Sequence, residues 1–176
     1  MKGTILVCLR DMLAHEKKVS PQQWNEVLVA AGFERGTLLL PSADIPDKDA
    51  LQLFGEAQKR YFTSHEALAD AFGHYWSVHY APATYGSVYQ RVRNAREFIL
   101  RMDEVHVQVT RNITNAQPPR FQFTEVGRNK LLIDYRSHRG LIHIFAGLCR
   151  GIGAYYGEAL TVEVLGPQQV MVEFPA

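Results

Sequence analysis

Two features of this chain could do chemistry together: His106, in an apolar helical stretch, and the run Tyr135-Arg136-Ser137-His138-Arg139. An imidazole on a helix can ligate a metal. Tyr135, Ser137 and Arg139 alternate, and alternate residues of an extended strand share a face. That face would carry two hydroxyl donors and a planar guanidinium whose fork matches a carboxylate. Three converging donors can neutralise and orient buried carboxylates, which are costly to bury unpaired. One axial nitrogen for iron and one grip for two propionates are what an iron porphyrin asks of its protein. Taken alone, His106 fits a satisfied core histidine more readily than a ligand. Taken alone, the trio fits a surface arginine beside an incidental Tyr and Ser.

Other chemistries find little support. Cys8 and Cys149 are the only cysteines, far apart and outside any C-x-x-C, so they read as buried small hydrophobes. Gly151-Ile152-Gly153 with Gly157 follows no strand, so the dinucleotide fingerprint fails. His74 and His79 are not at helical-face spacing, and neither H-E-x-x-H nor G-x-S-x-G occurs. His15, His65 and His138 read as exposed or structural, and Asp103 and Glu104 as a solvated charge pair rather than tuners of His106. No paired acid and base or nucleophile triad emerges, so an enzyme is not expected. The formal net charge of +1 gives no electrostatic case for nucleic acid. The apolar stretches are too short to span a bilayer, and Ile5 to Leu9 is too short for a signal-peptide core. A cytoplasmic protein without membrane attachment is the expectation.

The elements that must position these residues divide into a helical part and a sheet-containing part. Ile5, Leu6, Leu9, Met12 and Leu13 recur at helical spacing. Ser20-Pro21-Gln22-Gln23 is a capping box, opening a helix that carries Trp24, Val27 and Leu28 inward and stops near Gly32. Pro41 to Pro46 is a loop. Asp47 to Tyr61 is helical, with Leu51, Phe54 and Ala57 on one face. Thr63-Ser64-His65-Glu66 is a second capping box, opening a helix through Trp76 that ends before Pro82. Pro82 to Gly86 is a breaker. One long helix from about Asn94 to Ile113 carries an apolar stripe of Phe98, Ile99, Met102, Val105 and Val109, with His106 at its edge. Asn115 to Pro119 is the clearest break, and beyond it the period turns to alternation. Phe121 and Phe123 come first, then a turn at Gly127-Arg128-Asn129, then Leu131, Ile133, Tyr135 and Ser137 on one strand face. Gly140 to Tyr156 is helical, and Ala159–Leu165 with Gln169–Phe174 form a hairpin around Gly166-Pro167. The class is α+β: a helical amino-terminal half followed by an antiparallel sheet of about four strands with a packed helix. The 176 residues suit a single domain, with a helical subdomain over about 1–114 and a sheet-containing one over about 119–176.

Met102-Asp103-Glu104-Val105-His106, then Pro118-Pro119-Arg120, then Tyr135-x-Ser137-x-Arg139 occur in that order. With Met1-Lys2-Gly3-Thr4-Ile5 at the amino terminus, this resembles the heme nitric oxide/oxygen binding (H-NOX) family, the sensor domain also found in soluble guanylate cyclases. The resemblance spans essentially the whole chain. It implies a heme b (iron protoporphyrin IX) sandwiched between the halves, with His106 as the proximal iron ligand and Met102 as a proximal contact. It further implies that Tyr135, Ser137 and Arg139 hold the propionates and that Pro119 presses on the macrocycle and distorts it. Ile5 and Leu9, then Trp76 and Tyr80, then Ile144 and Leu148 would form the heme-contacting and distal walls.

Family members that bind oxygen carry a distal tyrosine where this chain has Ile144. An isoleucine cannot donate a hydrogen bond, so the resemblance implies a preference for nitric oxide and carbon monoxide over oxygen. Two departures bear on this: Tyr80 stands where the family often has phenylalanine, and His143 neighbours Ile144. The expected function is a gas sensor with ferrous heme on His106. Nitric oxide would weaken the bond to His106, release the proximal helix and shift the helical half against the sheet. The partner implied is a histidine kinase or a cyclic-nucleotide (diguanylate) cyclase or phosphodiesterase. The alternative is a heme or oxygen storage or carrier module without signalling. A heme-free scaffold, with His106 and Tyr135 as plain core, is a third reading.

Overall fold

The structure, a computed structural model, describes residues 1–175. Its contacts divide the chain into two compact units, Met1–Leu68 and Ala69–Ala176. The change of period near residue 115 and this division mark different things. The first is a change of secondary structure. The second arises because the helices that follow residue 69 share a core with the sheet.

The first unit is built on α1 (Gly3–Glu16), α2 (Pro21–Ala30) and α3 (Asp47–Tyr61). The Ser20 capping box forms as its sequence dictates. The Ser20 hydroxyl accepts the Gln23 amide at 3.2 Å and the Gln23 carboxamide accepts the Ser20 amide at 2.8 Å. The buried stripe of α1 includes Leu6, Leu9, Met12 and Leu13, while Ile5 is half-buried. On α3 the buried face is Ala50, Leu53, Phe54 and Ala57. Leu51 points outward, because the i, i+3, i+4, i+7 stripe passes through Ala50 and leaves its neighbour beside it.

The division falls within α4 (His65–Tyr75). Ser64, not Thr63, caps this helix: its hydroxyl accepts the Ala67 amide at 3.1 Å, which moves the cap one residue along from the expected box. In the second unit the chain does not break at Pro82. It runs through a π-helical turn, Trp76–Tyr80, where the Ala81 amide reaches back five residues to the Trp76 carbonyl. Pro82 then lies in the first turn of α5 (Ala81–Tyr89). The irregularity sits at Tyr85 instead, at φ −126°, ψ 31°.

The expected long helix is two. Arg101, at φ −92° and ψ 0°, separates α6 (Ala95–Leu100) from α7 (Met102–Thr110). The last turn of α7 is closed by Thr110, whose hydroxyl donates to the His106 carbonyl at 2.5 Å. Strands β1 (Arg120–Glu125) and β2 (Lys130–Arg136) turn through Gly127 at φ 85°. Helix α8 (Ile142–Tyr156) ends on Gly157 in the left-handed conformation, the usual device for stopping a helix. Strands β3 (Thr161–Gly166) and β4 (Gln169–Glu173) close the chain as a hairpin. The sheet order is β1-β2-β4-β3, antiparallel throughout.

Alternation puts Phe121, Leu131, Ile133, Tyr135, Val170 and Val172 on one face, and all are buried. They share a core with Phe145, Cys149 and Ile152 of α8 and with Phe98, Ile99 and Met102 of α6 and α7. Helices α4 and α8 cross with their backbones touching. A Cβ on Gly73 would overlap the carbonyl of Gly147, and one on Gly151 would overlap that of Gly73. The glycines that faintly resembled a nucleotide loop belong to this crossing. Both cysteines are free and buried, and burial pushes the Cys149 thiol up to about 12, so it stays a protonated packing group.

Candidate functional site

His106 lies in the middle of α7, one turn after Met102. Its Nδ1 sits 2.8 Å from the Met102 carbonyl, which can only accept, so Nδ1 carries the proton. That leaves the lone pair on Nε2, for which no hydrogen bond is found among the described residues. Burial of the ring lowers the His106 pKa, and the Met102 bond and the nearby Asp103 charge only partly oppose this. A neutral imidazole with one nitrogen anchored and the other open is the form that binds a metal.

The first turn of α7 is fastened to β1. Asp103 accepts Nε and Nη2 of Arg120 at 2.8 and 2.7 Å and the Phe121 amide at 2.9 Å. The fork of Arg120 holds the Asp103 carboxyl down at about 2, helped by the Phe121 amide and opposed by burial. Asp103 is therefore neither a solvated partner of Glu104 nor a direct partner of the imidazole. Glu104 turns along its own helix and accepts Gln108 at 2.8 Å.

Tyr135 is the last buried residue of β2. Burial raises its pKa, opposed by hydrogen bonds with Ser137 and the Leu141 backbone and by the Arg139 charge. The expected shared strand face does not exist, because β2 ends at Arg136. A turn follows, in which the Arg139 amide donates to the Ser137 hydroxyl at 3.3 Å. The turn still gathers Tyr135, Ser137 and Arg139, by local hydrogen bonding rather than by pleat. Arg139 also reaches the Gln117 carbonyl through Nη1 at 2.7 Å and so ties down the segment that carries half-buried Pro119.

Phe121 joins these parts. Its ring centroid lies 5.3 Å from His106, 5.8 Å from Tyr135 and 4.9 Å from Phe145. Phe145 stacks on Tyr135 at 5.3 Å. Neither phenylalanine was singled out from the sequence beyond its place in a period. Phe121 falls just after Pro118-Pro119-Arg120, and Phe145 beside Ile144, which are the only signals that could have drawn attention to them.

The remaining predicted residues lie on the helices. Ile144 and Leu148 are half-buried, one turn apart on α8. Trp76 and Tyr80, also half-buried, stack at 5.2 Å within the π-helical turn. The Ser77 hydroxyl meets the Leu148 carbonyl at 3.4 Å, so this turn packs alongside α8. Met102 is buried. His143 is exposed. Ile5 and Leu9 belong to α1 of the first unit. A surface groove on α5 to α7, floored by Val88, Val92, Phe98 and Val105, includes none of these residues. Among the described residues no three His, Cys, Asp or Glu converge as a metal site.

The donor set suits a heme: one open imidazole nitrogen, two hydroxyls and a guanidinium in one turn, and aromatic and aliphatic side chains around them. No helix among the described residues is long and apolar enough to cross a membrane. The family described as Haem-NO-binding matches residues 2–164. No curated protein matches the chain. Among solved structures the chain is similar to a Cs H-NOX mutant carrying 4-cyano-L-phenylalanine, at 24% identity and TM-score 0.86, over 100% of this chain and 97% of that one. It is similar to an oxygen-binding H-NOX domain related to soluble guanylate cyclases, solved as its oxygen complex, at 24% identity and TM-score 0.80, over 100% and 96%. It is also similar to an unliganded Fe(II) H-NOX mutant from K. algicida, at 17% identity and TM-score 0.85, over 100% and 97%.

Proposed function

The chain belongs to the Haem-NO-binding family, whose members are heme-based gas-binding sensor domains rather than enzymes, and from that premise we propose that it senses nitric oxide through a heme b held by His106. The observation that carries this reading is the state of His106: Nδ1–H anchored on Met102 and Nε2 open. Tyr135, Ser137 and Arg139 bind the propionates, with Arg139 spanning to the Gln117 carbonyl so that the clamp and the Pro119 segment move together. Pro119 contacts the macrocycle, and Met102 lies on the proximal side. Trp76, Tyr80, Ile144 and Leu148 would exclude water from the bound group. Bound in this way, heme supplies the iron that takes up the diatomic gas. Ile144 offers no hydrogen bond, so nitric oxide and carbon monoxide are favoured over oxygen.

Helix α7 carries the signal. Residues Met102–Thr110 form a rod separated from α6 by Arg101, whose ψ of 0° departs from regular helix. A change in the pull on His106 shifts that rod relative to β1, and a partner protein reads the shift. A histidine kinase or a cyclic-nucleotide (diguanylate) cyclase or phosphodiesterase is the partner class. A solved neighbour's kinship with soluble guanylate cyclases agrees with such a role.

The test is absorption spectroscopy of the purified protein and of His106→Gly. The wild type is expected to show a Soret band in the reduced form that responds to nitric oxide and carbon monoxide and is little changed by air. His106→Gly is expected to lose it and to regain it with added imidazole. A Soret band unaffected by the substitution overturns the ligand assignment, and a stable oxygen complex overturns the selectivity.

A further inference from the structure

Three features of α7 fall within six residues. Arg101 interrupts the helix before it, Asp103 fastens its first turn to β1, and His106 follows one turn later. The imidazole is oriented by the Met102 carbonyl, which belongs to the turn that Asp103 fastens. Asp103 spends one oxygen on both Nε of Arg120 and the Phe121 amide and the other on Nη2 of Arg120. Phe121 in turn packs its ring against the imidazole at 5.3 Å. The one carboxylate thus governs His106 from two directions: through the backbone carbonyl that holds Nδ1 and through the ring that packs beside it.

A charge pair placed only for stability would have no such convergence. Arg150 supplies the contrast within the same unit. It joins Asp70 at 2.8 Å and the Val162 carbonyl at 2.9 Å, linking α4, α8 and β3 without touching any predicted site residue. The Asp103 bracket is built instead at the end of α7 that adjoins α6 across Arg101.

We propose that Asp103, clamped by Arg120 and the Phe121 amide, is the positioning residue for His106, setting the orientation of its imidazole and coupling any movement of α7 to β1. The proposal rests on His106 being the iron ligand, but the bracket itself exists in the heme-free chain. Asparagine at position 103 keeps the shape and loses the charge and one acceptor, so the two bonds to Arg120 cannot both survive. Lysine at position 120 keeps the charge and loses the fork.

The experiment compares wild type, Asp103→Asn, Arg120→Lys and, as a control, Asp70→Asn. In the heme-free protein two readouts are taken: amide hydrogen exchange, and the ¹⁵N signals of His106 that report which ring nitrogen carries the proton. In the heme-loaded protein the iron–histidine stretching band is recorded by resonance Raman. Asp103→Asn is expected to speed exchange of the α7 amides at least tenfold, leave the β3–β4 hairpin unchanged, mix the two His106 tautomers and shift or broaden the iron–histidine band. Arg120→Lys is expected to do the same to a lesser degree, and Asp70→Asn to move none of these. Faster exchange with wild-type His106 signals makes Asp103 a stabilising residue only and overturns the proposal. So does unchanged exchange. A heme-loaded protein with no iron–histidine band, alongside the expected heme-free results, overturns the ligand assignment of His106 while leaving the bracket standing.

Discussion

Asp103, on the α7–β1 side of the candidate site, gathers three hydrogen bonds. Gly73, on the α4–α8 side, has no side chain to contribute and lets two helix backbones touch. The first side is assembled by directed polar contacts: Asp103 to Arg120, His106 to Met102, Arg139 to Gln117. The second is assembled by removing atoms, at Gly73, Gly147 and Gly151, and by stacking Phe72, Trp76 and Tyr80 along the inner edge of the π-helical turn. Directed bonds let a helix end take one of two discrete positions, because each bond is made or broken. A close backbone crossing has no such alternative and acts as a fixed wall. On the proposed sensing function, the difference makes α7 the moving part and α8 the static part.

Substitutions can break this contrast, and the largest effect is expected where the two sides meet. Phe121 touches His106, Tyr135 and Phe145, so Phe121→Ala should cost about 3 to 5 kcal/mol, the usual range for deleting a buried aromatic ring. Urea unfolding measures this. A loss near zero would mean that the two sides are not joined through this ring.

Next comes the wall. Gly147→Ala places a methyl group against the Ala69 carbonyl, where neither backbone can yield, and should cost about 3 kcal/mol, the upper end for overpacking. The loss should appear in thermal unfolding while the exchange of α7 amides below the transition stays at the wild-type rate. If α7 loosens as well, the wall and the moving helix are one cooperative piece and the contrast fails.

The smallest effect belongs to the bracket. The Asp103 carboxyl is held at about 2 in the folded chain, foremost by the Arg120 fork, against about 3.9 in the unfolded chain. Between those values the unfolded state binds the proton more readily, so stability falls as pH falls. The contribution is complete above about pH 4 and is lost on the way down to about 2. The stability gap between wild type and Asp103→Asn should therefore be constant from neutral pH to about 4 and close below it. A gap that persists unchanged at pH 2 would show that it does not come from the carboxylate's charge.

Much of the polar side could be read from residue order. The family resemblance rested on Met102 to His106, Pro118 to Arg120 and Tyr135 to Arg139, and the Haem-NO-binding match over residues 2–164 bears it out. The α+β class, the four-stranded antiparallel sheet and the final hairpin also follow from period and turn residues, which act over a few positions. The strand face proposed for Tyr135, Ser137 and Arg139 went wrong because β2 stops at Arg136, and a strand's last residue depends on where its partner strand ends. The helix from Asn94 to Ile113 went wrong for a related reason: nothing in Leu100-Arg101-Met102 is a breaker, and the interruption at Arg101 is visible only in its backbone geometry.

Local chemistry, then, is what the amino-acid order determined without help: which residues can donate, accept or ligate, where helices cap, and which faces are apolar. All of these are properties of side chains and of neighbours within a turn. The tertiary structure alone decided that Asp103 meets Arg120, that Phe121 joins His106 to Tyr135, and that glycines at 73, 147 and 151 meet at a crossing. Those are contacts between residues 14 to 78 positions apart, as the pairs Phe121–Tyr135 and Gly73–Gly151 illustrate, and no periodicity in one element carries information about which atoms of another will be opposite it.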